Sequence, residues 1–157
     1  IVGFQTHLKF PEQKRVFSMI PALRNAEFVR YGVMHRNTFL NSPGLLDKTY
    51  ADRRDPLVAF AGQMTGVEGY IESTGSGLVA GINAAMKALG REKIIFPQTT
   101  MLGAMAVYVS HGGVSKFAPM NANFGILNAI DERDKKKRNE MYYYRSIKEI
   151  EQYINKE

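Results

Sequence analysis

Leu57-Val-Ala-Phe-Ala61, then Gly62-Gln-Met-Thr-Gly-Val-Glu-Gly69, then Tyr70-Ile-Glu-Ser-Thr-Gly-Ser-Gly-Leu-Val-Ala-Gly81 and on to Leu89, follow one another without a break. The first is a short, continuous apolar run, which predicts a buried parallel strand, with Gly62 at its carboxyl end. That is the edge at which ligands bind in an α/β sheet. From Tyr70 to Leu89 the pattern is helical despite Gly75, Gly77 and Gly81. Each of these weakens a helix by about 1 kcal/mol relative to Ala, so the three together predict a compensating close contact. Strand, glycine-rich turn and helix in this order predict an α/β fold.

The chemistry follows from the turn. Glycine lets backbone N–H groups approach a ligand closely, and a helix amino end favours negative charge, whether phosphate or the electron-rich edge of a reduced flavin. The competing explanation is that the glycines only permit tight helix packing. The spacing is not G-x-G-x-x-G, so this is not the usual dinucleotide fingerprint.

Upstream, Arg53-Arg-Asp-Pro56 is a polar, proline-closed stretch that predicts a domain junction. Pro11-Glu-Gln-Lys-Arg-Val-Phe-Ser-Met-Ile20 predicts an amphipathic helix with Val16, Phe17 and Ile20 on one face, ended by Pro21. Glu27-Phe-Val-Arg-Tyr31 alternates like a strand, and residues 32–43 read as a loop-rich return. Downstream, Thr99 to Val109 predicts an apolar core helix begun by a hydroxyl cap. From Asp131 the chain becomes highly charged. Met141, Tyr144, Ile147, Ile150 and Ile154 then recur at steps of three and four, the stripe of an amphipathic helix. The expected organisation is 1–53, 54–130 and 131–157.

Of 157 residues, 45% are hydrophobic, enough for a packed core. The chain begins Ile1-Val2-Gly3 and not with Met, so a piece of a longer polypeptide is expected. It has no Cys, which rules out disulfides, thiolate metal sites and cysteine nucleophiles within these residues and permits an intracellular, cytoplasmic location. No apolar stretch approaches the roughly 20 residues that cross a bilayer. The net charge of +6 suits a polyanionic partner, and it is concentrated upstream: residues 1–60 carry nine basic and five acidic side chains.

Gly62-Gln-Met-Thr-Gly-Val-Glu-Gly-Tyr-Ile-Glu-Ser73, with Gly77-Leu-Val-Ala-Gly-Ile-Asn-Ala-Ala85, closely resembles the C-terminal flavin motif of the folate- and FAD-dependent tRNA uracil-C5 methyltransferases (TrmFO, formerly Gid). Gly3-Phe-Gln-Thr-His-Leu-Lys9, Pro11-Glu-Gln-Lys-Arg-Val-Phe17, Tyr31-Gly-Val-Met-His-Arg-Asn-Thr-Phe39 and Pro119-Met-Asn-Ala-Asn-Phe-Gly125 resemble the same family. The likeness runs from residue 1 to about residue 127. It implies the C-terminal portion of a glutathione-reductase-like FAD-binding domain together with the end of a smaller inserted α/β domain. It also implies that Gly62, Gln63 and Gly66 lie along the ribityl-pyrophosphate side of FAD, and that Val67, Glu68, Gly69, Glu72 and Ser73 meet the flavin at the helix start. His35 would lie against the folate ring, with Tyr70 nearby.

In that family reduced FAD passes a one-carbon unit from methylenetetrahydrofolate to a uracil of the tRNA T loop, and NAD(P)H restores the flavin. The resemblance therefore implies FAD, methylenetetrahydrofolate, NAD(P)H and tRNA as cofactors and partners, and no membrane. The two family cysteines and the G-x-G-x-x-G fingerprint are absent here, so these residues are expected to shape a site without catalysing alone.

Other side chains add less. His7 and His111 have no carboxylate or Cys at ligand spacing, so no metal site is expected. Glu68 and Glu72 read as structural or hydrogen-bonding groups before they read as an acid–base pair. Lys14, Arg15, Arg24, Arg30 and Arg36 are the candidate phosphate contacts, with a solvated helix surface as the alternative. Lys135-Lys-Lys-Arg138 is flanked by Asp131, Glu132, Asp134 and Glu140 and reads as a solvated helix. Two other functions compete. A sister flavoprotein family that modifies the tRNA wobble uridine shares the Gly-Gln and glycine-helix pattern but lacks the Pro11 and Met34 segments. A free-standing, non-catalytic RNA-binding module would leave the Phe60-Ala-Gly-Gln63 turn unexplained.

Overall fold

A computed structural model describes residues 4–34, 37–111 and 117–155 and shows a mixed α/β chain. By contact it divides into two compact units, Ile1–Asn37 and Thr38–Glu157. The second unit thus begins upstream of the junction read at Arg53–Pro56.

In the first unit, α1 spans Phe10–Phe17, with Pro11 in its first turn and Glu12 near its positive end. Its anchor is polar. Gln13 is fully buried, and its Nε2 donates to the carbonyls of Leu8 and Gly32 while its Oε1 accepts from the Gly32 N–H. Both of its N–H donors and its carbonyl oxygen are engaged with backbone, which offsets the cost of burying an amide. The strand expected at Glu27–Tyr31 does not form. Phe28 and Tyr31 instead join a ladder of rings: Phe17 lies 4.3 Å from Phe4 and 6.3 Å from Phe28, Tyr31 lies 5.8 Å from Phe28, and Phe10 lies 5.1 Å from Tyr31. Alternation put bulky residues in the right places, but no described strand runs alongside to complete a ladder of backbone bonds.

In the second unit, Leu46 to Ala59 forms a tight return closed by antiparallel bridges between Leu46 and Asp52 and between Ala51 and Ala59. The buried strand expected at Leu57–Ala61 is therefore corrected. Leu57 and Val58 sit in and after a turn and are exposed, because Asp55–Val58 folds back so that Asp52 and Tyr50 take the backbone bonds. A continuous apolar run is buried only where a sheet covers both faces, and the described residues supply just one two-residue pair of parallel strands.

That pair is β1, Val67–Glu68, beside β2, Met120–Asn121. Helix α2 runs Tyr70–Ala88 and α3 runs Met101–Ser110. Thr100 caps α3, its hydroxyl accepting from the Gly103 N–H at 3.1 Å. The core lies between these elements and the return loop: Leu46, Tyr50, Val67, Val79, Ala80, Met105, Ala106 and Val109 are its buried members. The compensating contact expected for the helix glycines is found only at Gly75, where a Cβ would stand 2.7 Å from Leu102 of α3. At Gly77 and Gly81 nothing among the described residues lies within 4 Å of an added Cβ.

Helix α4, Lys135–Ile154, begins as expected at the charged tail, capped by the Asp134 carboxylate on the Lys137 N–H. Its packed face is not the apolar stripe. Met141, Tyr144, Ile147 and Ile154 are exposed, while Tyr142 is 6% exposed and packs with Ala104 and Leu127. Hydrogen bonds from Ser146 to the Thr99 carbonyl and from Arg145 to the Asn128 carbonyl hold the helix in this rotation. Polar anchors thus override the hydrophobic period. No described helix is long and apolar enough to cross a membrane.

Candidate functional site

The glycine-rich turn is built by backbone geometry that side chains then lock. Gly62, Gly66 and Gly69 all have positive φ, at 71°, 91° and 95°. At Gly66 an added Cβ would stand 2.3 Å from the Phe117 ring, and at Gly69 it would stand 2.2 Å from the Glu72 carboxylate. Both positions therefore favour glycine for conformation, and a side chain at either would also displace the neighbouring Phe117 ring or Glu72 carboxylate.

Residues Gly62–Thr65 form one 3-10 turn. The Gly62 N–H donates to the Ser76 hydroxyl at 2.8 Å, and that fully buried hydroxyl donates to the Ser73 carbonyl at 2.9 Å. The Thr65 hydroxyl closes the turn on the Gly62 carbonyl, the Ser42 hydroxyl holds the Thr65 carbonyl, and the Ser73 hydroxyl reaches the Val67 carbonyl. Four hydroxyls and one helix thus pin a loop of eight residues from both ends. Thr65, Val67 and Ser76 are buried, and Gln63, Met64 and Tyr70 are exposed. Tyr70 is 95% exposed.

Gly69 brings no side chain to cap α2. Among the described residues no side chain caps the first N–H groups of the helix, and its positive end favours a negative or electron-rich group. A carboxylate stands one turn in: Glu72 Oε1 accepts the Ala122 N–H at 3.2 Å, tying the helix start to the strand after it. The second strand enters the site here. Met120 N–H donates to the Gly66 carbonyl, and Val67 and Glu68 pair with Met120 and Asn121. Asn123 then caps the short turn Phe124–Ile126 through the Gly125 N–H.

Of the residues named from sequence, Gly62, Gln63, Gly66, Val67, Glu68, Gly69, Tyr70, Glu72 and Ser73 are brought together in this turn and helix start. Lys14, Arg15, Arg24 and Arg30 belong to the first unit and are exposed, Arg15 being paired with Glu12. That pair holds the Glu12 carboxyl below its usual range, through the guanidinium hydrogen bond and then its charge. His35 and Arg36 lie outside the described residues. Among the described residues no group of three or more His, Cys, Asp or Glu side chains is placed to hold a metal.

The sequence reading missed Ser42, Ser76 and the segment Met120–Asn123 as parts of the site. Ser76 looked like an ordinary helix residue, and only its depth gives it the Gly62 N–H. The segment 120–123 was noticed as a likeness, but its place against the glycine turn depends on pairing across some fifty residues of sequence.

The family model "Glucose inhibited division protein A" matches residues 1–92. Relatives named "Methylenetetrahydrofolate--tRNA-(uracil-5-)-methyltransferase TrmFO" are 58% identical to the chain. Those from Streptococcus agalactiae serotype III and Acetivibrio thermocellus align over 99% of it and 36% of their own length. One from Streptococcus suis aligns over 98% of the chain and 35% of its own length. The chain thus spans just over a third of the curated relatives it matches. The likeness covers the first unit, the glycine turn, α2 and the 120–125 segment together, and the chain belongs to the glucose inhibited division protein A family.

Proposed function

We propose that this chain supplies the flavin-facing turn of a longer enzyme that transfers a one-carbon unit from methylenetetrahydrofolate to C5 of a uracil in tRNA. The observation that carries this is the braced turn Gly62–Gly69 opening on the uncapped amino end of α2, on a chain 58% identical to relatives bearing that activity's name. Bound FAD would supply the redox chemistry, with NAD(P)H as reductant.

The residues present fit one side of a flavin. Gly62 leaves room, the nearest side-chain atom to an added Cβ being Ser73 at 3.8 Å. The α2 amino end stabilises negative charge on the group it faces, and the exposed Tyr70 ring offers a flat apolar surface. The buried bonds of Ser76, Thr65 and Ser42 keep these groups fixed when the ligand arrives, so that little ordering cost remains for binding. Glu72 is engaged with Ala122, so its role is to hold the wall of the site and not to move a proton. His35 is assigned to the folate ring, and Lys14, Arg15, Arg24, Arg30 and Arg36 to tRNA phosphates.

With no Cys in the chain, a nucleophile toward C6 of the uracil must come from the remaining two thirds of a polypeptide of the relatives' length. The 157-residue chain alone accordingly gives no turnover. The test uses the longer polypeptide: it purifies with a flavin absorbance spectrum and methylates tRNA, and His35→Ala raises the KM for methylenetetrahydrofolate far more than it weakens FAD binding. A long-chain protein without flavin under any preparation overturns the proposal, and equal loss of folate and FAD overturns the assignment of His35.

A further inference from the structure

The tail that carries no recognisable motif reaches the site through one aromatic stack. Tyr142 of α4 is 6% exposed, and its ring lies 4.9 Å from that of Phe124 with the planes 9° apart. The Arg145 guanidinium covers the same ring at 5.2 Å and donates to the Asn128 carbonyl at 2.9 Å, fixing the chain just beyond Phe124. Phe124 begins the short turn that Asn123 caps, and Met120–Asn121 before it form β2. β2 is the strand that closes on the glycine turn through the Met120 N–H and on α2 through the Ala122 N–H. Further along, α4 is tied to the segment entering α3, by Ser146 at mid-helix on the Thr99 carbonyl and by Tyr153 near its end stacked on Phe96.

We propose that α4 is a strut for the cofactor site and that Tyr142 is a positioning residue, holding residues 120–123 against the glycine turn through its stack on Phe124. The physical ground is the size of β2. Two residues of parallel ladder hold a strand weakly, since isolated short pairings are marginal in water. The stack, the cation above it and the burial of Tyr142 beside Ala104 and Leu127 supply the missing restraint. This explains why the helix turns a tyrosine inward and leaves Met141, Ile147 and Ile154 outside. As it concerns the flavin, the inference rests on the function proposed above.

The test uses a polypeptide of the relatives' length with Tyr142→Ala, Tyr142→Phe and, on the outer face of α4, Ile154→Ala. Hydrogen exchange at the Met120 and Ala122 amides reads the strut directly, and FAD affinity and kcat against KM read its consequence. Tyr142→Ala is expected to speed exchange at both amides by tenfold or more and to weaken FAD binding about tenfold, in line with the effect of small displacements on a preorganised site. Tyr142→Phe, which keeps the ring, and Ile154→Ala stay within about twofold of the parent on the same scale. If Tyr142→Ala does not fold, Phe124→Leu removes the stack from its other side and carries the same expectation. Unchanged exchange at both amides overturns the strut, whatever the flavin does. Faster exchange with FAD affinity unchanged overturns its link to the cofactor, and faster exchange in a protein that never binds FAD overturns the functional reading alone.

Discussion

Replacing Gly69 by alanine tests the architecture of the site at its tightest point. The residue sits at φ 95° and ψ 149°, a region that only glycine occupies freely, and forcing a side chain there costs about 1–3 kcal/mol. The new Cβ would also stand 2.2 Å from Glu72 Oε2 and 2.7 Å from its Cδ. That carboxylate is the far end of a mobile side chain and can swing away, but doing so gives up the Ala122 N–H, a long bond at a half-buried position worth about 1 kcal/mol. The sum is a destabilisation of about 2–4 kcal/mol.

Gly77→Ala is the internal comparison. It lies in the middle of α2 with nothing among the described residues within 4 Å of an added Cβ, so it should stabilise by about 0.5–1 kcal/mol. Urea unfolding of the three proteins separates the two signs. A further pair of variants divides the Gly69 cost into its parts: in a Glu72→Ala background the steric share vanishes and only the backbone share of about 1–3 kcal/mol persists. Gly69→Ala behaving like Gly77→Ala refutes the strained-turn argument. A cost that is the same with and without Glu72 refutes the coupling of the turn to β2.

Two predictions concern the return loop that floors the core. Tyr50 is fully buried, its hydroxyl has no partner among the described residues, and burial pushes the phenol above its usual value. A raised value means that the stability it contributes is complete below about pH 10 and is lost as pH rises beyond that, so Tyr50→Phe should leave Tm at neutral pH equal or higher and move alkaline unfolding upward. A clear loss of Tm at neutral pH would show that the hydroxyl has a partner. Asp47 is half-buried; burial opposes its ionisation, but hydrogen bonds from Lys93 and Thr49 outweigh this and hold its carboxyl below the usual range. Its contribution is therefore complete above about pH 4 and is lost as pH falls through the lowered value, so Lys93→Met should shift acid unfolding to higher pH, by a modest amount because the pair is partly exposed. Identical acid midpoints for the two proteins would sink that assignment.

Much of the site is legible along the chain because it is local. A glycine-rich turn, a helix that starts at Tyr70 and a hydroxyl before Met101 are matters of a few neighbouring residues, and the structure has each of them where the sequence puts it. Charge is equally local, so the exposed lysines and arginines of the first unit follow from composition. The family also follows from the sequence, since quoted segments spread over the first 127 residues agree with one another.

Burial, by contrast, belongs to the partner as much as to the residue. The sequence made Leu57–Ala61 a buried strand, and the fold leaves Leu57 and Val58 outside because a turn at Asp55–Val58 gives their backbone partners to Tyr50 and Asp52. It gave α4 an apolar stripe, and the fold rotates the helix so that Tyr142 meets Phe124 while Met141 and Ile154 face out. It called for a compensating close contact along the glycines of α2, and among the described residues that contact falls at Gly75, against Leu102 of α3. The residues decided the turn and the helix by local torsional preference and hydrogen bonding. Which faces were covered, and that residues 120–123 close the site, was decided by contacts between segments far apart in the chain.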